Sequence, residues 1–109
     1  MNTTDNNVTI EWAPFEVAGH VSDEELEKAA ADLEVNFLQK QHGYLRRELL
    51  KGEGKQWVNL VYWSSPHAAA KAAEDANSSE AFLEYFSLMV GLEDAEDGIS
   101  HYRQVKTWN

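Results

Sequence analysis

The stretch that decides the fold runs from Gln56 to Ala76 and reads QWVNLVYWSSPHAAAKAAEDA. Its first part is an apolar segment rich in aromatic and β-branched residues, which is typical of a strand. Ser65 and Pro66 then begin a helix, because serine caps a first turn and proline at the first position needs no amide hydrogen. Asn59 and Trp63 stand four residues apart and therefore share one face of the strand. We expect both to line a pocket.

The composition narrows the class of protein. The chain has 109 residues, enough for one core, and 43% of them are hydrophobic, which is ordinary for a globular domain. No segment approaches the roughly 18 apolar residues of a membrane span, and no leader pattern is present, so we expect a cytoplasmic protein that does not contact the membrane. The lack of cysteine excludes disulfides, thiolate metal ligands and cysteine nucleophiles.

The charge is strongly acidic. The formal net charge is −10, from 19 acidic against 9 basic residues, so binding to nucleic acid is disfavoured. Five basic side chains nevertheless cluster between Lys40 and Lys55, namely Lys40, Arg46, Arg47, Lys51 and Lys55. The cluster has three interpretations: contact with an acidic surface of a second subunit, binding of an anionic ligand, or a solvated edge strand whose charges resist edge pairing. The pattern favours the last of these.

The beginning of the chain contains a polar segment and a first strand. Residues 1–7 are polar and are predicted to be disordered, so that residues 8–109 form a single domain. From Val8 onwards apolar and polar residues alternate. The apolar positions change phase at Ala13–Pro14, which predicts a bulge or bend in this strand.

The order of the following elements indicates the fold class. Ser22 and Glu25 form a capping box at the start of a first helix, which is predicted to end near Gln41. The remaining elements are a hairpin of strands Tyr44–Lys51 and Gln56–Ser64, a helix pair broken at Asn77–Ser79, and a last strand from Ile99 to about Thr107. This order predicts an α+β domain of the ferredoxin-like βαββαβ type, with a four-stranded antiparallel sheet and helices on one face.

The second hairpin strand is apolar on both faces. Its two sets of side chains are Trp57, Val61 and Trp63 on one face and Val58, Leu60 and Tyr62 on the other. Helices can cover only one of these faces, and a large exposed apolar patch usually marks an interface. We therefore expect a homodimer that buries the open sheet face, since two-fold dimers are the commonest oligomers. The alternative is a monomer in which the tail, with Trp108, folds over the sheet.

The chain resembles the dimeric α+β barrel superfamily, and within it the antibiotic-biosynthesis-monooxygenase group. The resemblance covers the element order of the whole domain. Its most specific parts are the strand ending Leu60-Val61-Tyr62-Trp63, the helix start Ser65-Pro66-His67-Ala68 and the later Ser79-Glu80-Ala81-Phe82. It implies a ferredoxin-like protomer, a dimer with facing sheets and, in each subunit, a pocket between sheet and helices.

The resemblance also implies an activity and site residues. Some members of the group oxidise polyphenolic substrates with molecular oxygen and without metal or flavin. Their pocket asparagine and tryptophan stand four residues apart on this strand, and Asn59 and Trp63 match them. In that mechanism the amide would hold a phenolate or carbonyl oxygen of the substrate, and the indole would shape a cavity poor in water. No cofactor is expected.

Two positions depart from the group. A pocket tyrosine expected early in the second helix falls in an alanine run around Ala69, and the histidine of haem-degrading members is replaced by Phe86. Without that axial ligand, haem degradation is disfavoured. The four histidines stand on separate elements, so no metal site is predicted.

Further candidates complete the predicted site. His101 lies on the last strand, facing either the pocket or the dimer interface, and as a general base it would suit neutral pH. Tyr85 contributes either a phenol to the pocket or a ring to the core. Substrate-binding residues are predicted to be Trp12, Phe82, Tyr85 and Phe86.

Three hypotheses for function are open. The first is a cofactor-independent, monooxygenase-like enzyme acting on an aromatic or quinol-type metabolite. The second is a non-catalytic or stress-associated dimeric barrel that holds a small apolar molecule. The third is a structural homodimer in which Asn59 bonds to the backbone and aromatic side chains fill the interior. A cavity below about 300 Å³ beside Trp63 would favour the third hypothesis.

Overall fold

The structure is a computed structural model that describes residues 8–94 and 96–108. Residues 1–7, predicted to be disordered, lie outside this range. The elements are β1 (Thr9–Val17), α1 (Asp23–Asn36), a 3-10 turn (Leu38–Lys40), β2 (Tyr44–Lys51), β3 (Gln56–Trp63), α2 (Pro66–Ala76), α3 (Glu80–Ser87), β4 (Met89–Val90) and β5 (Ser100–Arg103).

The strands form one antiparallel sheet in the order β2–β3–β1, with β4 and β5 both pairing with the remaining edge of β1. Helices lie on one face, so the predicted α+β, ferredoxin-like arrangement is confirmed. The predicted count of four strands is wrong, since the sheet has five. Two short strands share the position of the expected last strand: β5 pairs with Thr9–Trp12 and β4 with Glu16–Val17.

The bulge predicted at Ala13–Pro14 is not found. The pairing of β1 with β3 runs without a shift from Thr9 opposite Trp63 to Glu16 opposite Gln56. The change of apolar phase has another cause, because both faces of β1 carry apolar side chains. A register shift does occur between Tyr44 and Arg46, on β2.

Side-chain caps begin the three helices. Ser22 and Glu25 form the predicted capping box of α1. Ser65 accepts the Ala68 amide at the start of α2, at 3.1 Å, and Ser79 caps α3. The first helix ends at Asn36, earlier than predicted, because the chain then tightens into the 3-10 turn.

The core lies between the helices and the inner face of the sheet. It contains Leu26 and Leu33 of α1, Trp57 of β3 and Tyr85 of α3, all buried. The ring of Phe15 meets that of Tyr85 edge to face, with centroids 5.9 Å apart. The helices α1 and α3 pack against one another over the sheet.

The outer face of the sheet is covered by none of the described residues. Val58, Leu60 and Tyr62 are partly exposed there, and Trp12 is 40% exposed. Trp108 is 80% exposed, so the tail does not cover this face. Among the described helices, none is long and apolar enough to cross a membrane.

The side chains of the basic cluster contact different parts of the protein. Arg46 pairs with Glu48 on the same strand, and Lys51 pairs with Asp23 at the start of α1. The Lys55 ammonium donates to the Val21 carbonyl at 2.7 Å. Lys51 and Lys55 thus connect the β2–β3 hairpin to the entry of α1, and Arg47 turns inward.

Candidate functional site

A cavity of about 750 Å³ lies between the inner face of the sheet and the helices. Small side chains create the space: Ala13 of β1 stands opposite Asn59, and α2 presents Ala69, Ala72 and Ala76. Because an alanine reaches only one carbon from the backbone, α2 covers the sheet without filling the volume beneath it. The cavity falls in the usual range of small-molecule sites, roughly 300–1,000 Å³.

Asn59 and Tyr85 form a buried polar pair in the wall of the cavity. The Tyr85 hydroxyl donates to Asn59 Oδ1 at 3.0 Å. Asn59 is 8% exposed and Tyr85 is 1% exposed. Burial raises the pKa of Tyr85, while the nearby Arg47 charge and the Asn59 hydrogen bond act in the opposite direction. The phenol is therefore a neutral donor at physiological pH, and it fixes the orientation of the amide.

The amide nitrogen of Asn59 has a different role. Within the described residues Nδ2 makes no hydrogen bond. It belongs to a side chain that lines the cavity, so it is available as a donor to a ligand oxygen.

Trp63 forms another part of the wall. It is 2% exposed, and its indole Nε1 donates to Glu11 Oε1 at 3.1 Å. The Tyr44 ring packs edge to face against it, with centroids 5.7 Å apart. Since its single N–H is already bonded, Trp63 offers a ligand an apolar surface rather than a hydrogen bond.

His101 is among the residues that line the cavity, and it lies next to Glu11. Its Nε2 lies 3.8 Å from Glu11 Oε1, and 48% of its side chain is exposed. The Glu11 carboxylate raises the pKa of His101 by stabilising the imidazolium, and Glu96 adds a weaker effect of the same sign, while burial lowers the pKa. His101 is therefore a half-exposed imidazole with a carboxylate neighbour that favours its protonated form.

Arg47 is a cavity residue that the sequence did not single out. Its side chain is only 8% exposed. Nη2 donates to the Ala30 carbonyl at 2.6 Å, and Nε lies 3.8 Å from Glu34 Oε1. Nη1 is buried and has no hydrogen-bond partner among the described residues. The guanidinium also lies over the Tyr85 ring, 6.0 Å from its centroid.

The sheet register explains how these groups meet. Val61 pairs with Arg47 on one side and with Glu11 on the other, and Glu11 pairs with His101. These four residues form one row across the inner face, and Asn59 belongs to the next row. Neither Arg47 nor Glu11 was predicted to line the cavity. Arg47 was interpreted as part of the solvated basic cluster, and the bulge expected in β1 obscured the orientation of Glu11. The alternation of β1 alone would have placed Glu11 inward with Phe15.

Aromatic side chains complete the apolar part of the cavity. Phe82 and Phe86 of α3 both line it and stack at 6.0 Å with an angle of 11°. Trp12, predicted to bind substrate, is not one of the lining side chains. It is placed on the opposite face of the sheet, because it alternates with the inward residues Glu11 and Ala13.

The opening of the cavity is acidic. Besides Glu11, four exposed carboxylates are among the lining residues: Glu74, Asp94, Glu96 and Asp97. Among the described residues, no group of three or more histidine, aspartate or glutamate side chains is arranged to hold a metal ion. The site therefore combines an apolar interior, a few fixed polar groups and an acidic entrance.

Comparison with known proteins relates this geometry to solved structures. No protein-family model matches the sequence, and no curated protein matches it at a significant level. SnoaB, a cofactor-independent oxygenase from Streptomyces nogalater, is 21% identical, with a TM-score of 0.66 over 93% of this chain and 96% of that one. A proposed antibiotic biosynthesis monooxygenase from Bordetella bronchiseptica is 15% identical, with a TM-score of 0.68 over 92% of this chain and 99% of that one.

A third structure agrees with these two. A proposed antibiotic biosynthesis monooxygenase from Caulobacter crescentus is 17% identical, with a TM-score of 0.66 over 93% of this chain and 92% of that one. At such identities the similarity establishes the fold. The resemblance to antibiotic-biosynthesis-monooxygenase structures predicted from the sequence is thus confirmed at the level of fold.

Proposed function

We propose that the protein is a cofactor-independent, monooxygenase-like enzyme that acts on an aromatic or quinol-type metabolite. One observation carries the proposal: a cavity of about 750 Å³ with apolar walls holds the buried amide of Asn59, oriented by Tyr85. Solved structures of the same fold that are named as oxygenases support the reaction type.

The proposed reaction needs molecular oxygen as its only co-substrate. A quinol-type substrate in its keto form has an activated CH₂ group, and the overall change is R₂CH₂ + O₂ → R₂C=O + H₂O. The carbon loses four electrons and forms a bond to one oxygen atom. The second oxygen atom takes up both hydrogens and leaves as water.

Each polar group has a role in this scheme. His101, with Glu11 beside it, accepts the proton that leaves the CH₂ carbon. Asn59 Nδ2 donates to the substrate oxygen on which negative charge then develops. Trp63, Phe82 and Phe86 exclude water from the electron-rich intermediate.

Oxygen consumption with a panel of hydroquinones and their keto forms tests the proposal. Asn59→Ala removes the donor and is expected to lower turnover about 100-fold, the usual effect of losing one such hydrogen bond. Trp63→Phe is expected to lower it less. Asn36→Ala is the matched control, since Asn36 bonds to Asp32 on the surface. Turnover that survives both cavity substitutions would exclude this site.

The second candidate function is a non-catalytic or stress-associated protein that binds a small apolar ligand. It is favoured because Asn59 Oδ1 and Trp63 Nε1 already form hydrogen bonds within the protein. Few polar atoms of the cavity wall then remain to act on a substrate. Ligand binding without oxygen consumption would support it. The structural-homodimer hypothesis is disfavoured, because the cavity is well above about 300 Å³.

We also propose that the protein is a cytoplasmic homodimer joined through the outer face of the sheet. The apolar side chains of that face, including the 40% exposed Trp12, support a second copy as its partner. The inner face with its cavity then remains open to a small aromatic ligand in each subunit.

A further inference from the structure

We infer that Arg47, in the wall of the cavity, binds the oxygen of an ionised phenol, which makes acidic phenols the ligand class of this site. The inference rests on the proposed function only in using the same cavity. It assigns a ligand contact to a residue outside the Asn59–Trp63 pair, and it concerns binding rather than turnover.

In the described part of the chain, Arg47 carries an unpaired donor in the cavity wall. The Arg47 side chain is about nine-tenths buried, at 8% exposure, and its Nη1 has no hydrogen-bond partner among the described residues. Buried polar atoms are nearly always paired, and leaving a charged donor unpaired is costly. Because Arg47 lines the cavity, a ligand oxygen that reaches Nη1 would supply the missing partner.

The other guanidinium nitrogens of Arg47 already face protein oxygens. Nη2 already donates to the Ala30 carbonyl, and Nε lies near Glu34 Oε1. A carboxylate or phosphate prefers a bidentate contact with two guanidinium nitrogens, and the side formed by Nε and Nη2 already faces the protein oxygens of Glu34 and Ala30. The remaining atom, Nη1, suits a single oxygen. A phenolate presents one oxygen on a flat apolar ring, and this shape fits the aromatic walls.

The acidic charge of the protein favours a ligand that enters the cavity uncharged. The protein carries a net charge of −10, and the cavity opening has Glu74, Asp94, Glu96 and Asp97 among its lining residues. These charges repel a permanent anion. A phenol passes the opening as a neutral molecule and releases its proton to solvent beside the guanidinium, since a nearby positive charge favours the ionised form.

Asn59 provides a second donor near Arg47 in the cavity wall. Val61 pairs with Arg47, and Asn59 lies two residues before Val61 on the same face. Diagonal neighbours of this kind are about 7 Å apart at their Cα atoms. Asn59 and Arg47, which both line the cavity, are therefore close enough to contact one ligand ring from neighbouring strands.

The experiment uses two probes that differ by one methyl group. Para-nitrophenol ionises and changes colour, whereas its methyl ether, para-nitroanisole, stays neutral. We expect the protein to bind the phenol more tightly than the ether and to lower the apparent pKa of the bound phenol, read from the absorbance of the phenolate during a pH titration.

Variants assign the effect to one side chain. Arg47→Met keeps the length of the side chain, and it is expected to weaken phenol binding about tenfold or more and to abolish the lowered pKa, with ether binding unchanged. Arg46→Met is the matched control, because Arg46 is 61% exposed and pairs with Glu48. Arg47→Lys keeps the charge and is expected to retain part of the lowered pKa.

The outcomes are distinct. Ether binding by Arg47→Met shows that the variant is folded. If that variant does not fold, the test compares phenol and ether binding in the wild type and in Arg47→Lys. The inference is overturned if the wild type binds both probes equally or binds neither, or if Arg47→Met keeps the preference. Absence of oxygen consumption together with an intact phenol preference would instead reject the proposed reaction alone.

Discussion

Asn59 uses its two polar ends differently, which explains why an amide suits this position. Oδ1 accepts from the Tyr85 hydroxyl at 3.0 Å, and this bond fixes which way the amide points. Nδ2 consequently remains directed away from that bond as a donor. A serine or threonine would offer one atom for both roles, so it would not hold a fixed donor in the same way.

Tyr85→Phe is expected to destabilise the protein by about 1–3 kcal/mol, because it leaves Asn59 Oδ1 buried without its partner. Urea denaturation of the variant and the wild type measures the free energy of unfolding. Tyr62→Phe is the control, since the Tyr62 hydroxyl contacts Glu48 at 3.3 Å on the partly exposed outer face and should cost much less. Equal losses in the two variants would contradict the structural role assigned to the buried pair.

His101 provides a prediction about pH. Its pKa is raised above the ordinary 6.5, chiefly by Glu11. Protonation of His101 therefore stabilises the folded state; this contribution is full below pH 6.5 and is lost as the pH rises through the raised pKa of the folded protein. The side chain is half exposed, so solvent weakens the effect on stability, and the pKa itself should be measured by NMR.

The Glu11→Gln variant isolates the cause of that shift. We expect the pKa of His101 to fall toward its ordinary value, because the neutral amide no longer stabilises the imidazolium. Glu96→Gln should lower it less, since Glu96 contributes the weaker interaction. An unchanged pKa in Glu11→Gln would show that the two side chains are not coupled.

Residue patterns predicted part of the site. Asn59, Trp63, Phe82, Phe86 and His101 do line the cavity, because period-two and helical spacing fix which face each occupies. Arg47 was hidden among basic neighbours that face solvent, and its burial depends on Ala30 and Glu34, which are distant in sequence. Such tertiary contacts leave no local signal in the chain.

At the scale of elements, the alanine-rich helix α2 determines how much space the site has. Its buried residues Ala68, Ala69, Ala72 and Ala76 bring its backbone close to neighbouring segments. One close approach is at the loop before β2, where Gly43 adopts φ +86°. A side chain on Gly43 would push the helix away from the sheet.

Gly43→Ala is therefore expected to destabilise the fold by about 2 kcal/mol or more, since an added Cβ would lie 2.5 Å from Ala68 Cβ and 2.7 Å from Ser64 Oγ. Gly54→Ala is a close control: Gly54 also has positive φ, at +60°, but nothing lies within 4 Å of an added Cβ. Thermal or urea denaturation should show the larger loss for Gly43→Ala. Similar losses would indicate that backbone strain alone matters at both positions.

Element order was predictable, whereas some element details were not. Capping residues and the spacing of apolar residues predicted the positions of the helices and of the β2–β3 hairpin. The Ser22 capping box and the Ser65 cap are examples. The sequence did not predict that two short strands, β4 and β5, would share the edge of β1 where one last strand was expected. Met89–Val90 is too short to carry a strand pattern, and it is held by pairing with β1 rather than by its own sequence.

At the scale of the whole molecule, the apolar outer face of the sheet requires an explanation. Trp12 is 40% exposed, Tyr102 is 59% exposed, and the partly exposed Val58, Leu60 and Tyr62 lie on the same sheet. Burying apolar surface is worth about 25 cal/mol per Å², so covering this face against a second copy would contribute several kcal/mol. The cavity lies on the inner face, and such a dimer would leave it intact.

Trp12→Glu is expected to convert the proposed homodimer into a folded monomer, because it places a charge in the apolar centre of the interface without touching the cavity or the core. Light scattering at micromolar concentration measures the mass, and circular dichroism checks the fold. Leu83→Glu is the control: Leu83 is 49% exposed on α3, on the helical side, and the variant should stay dimeric. A wild-type protein that is monomeric at this concentration, or a Trp12→Glu variant that keeps the dimer mass, would contradict pairing through the sheet face.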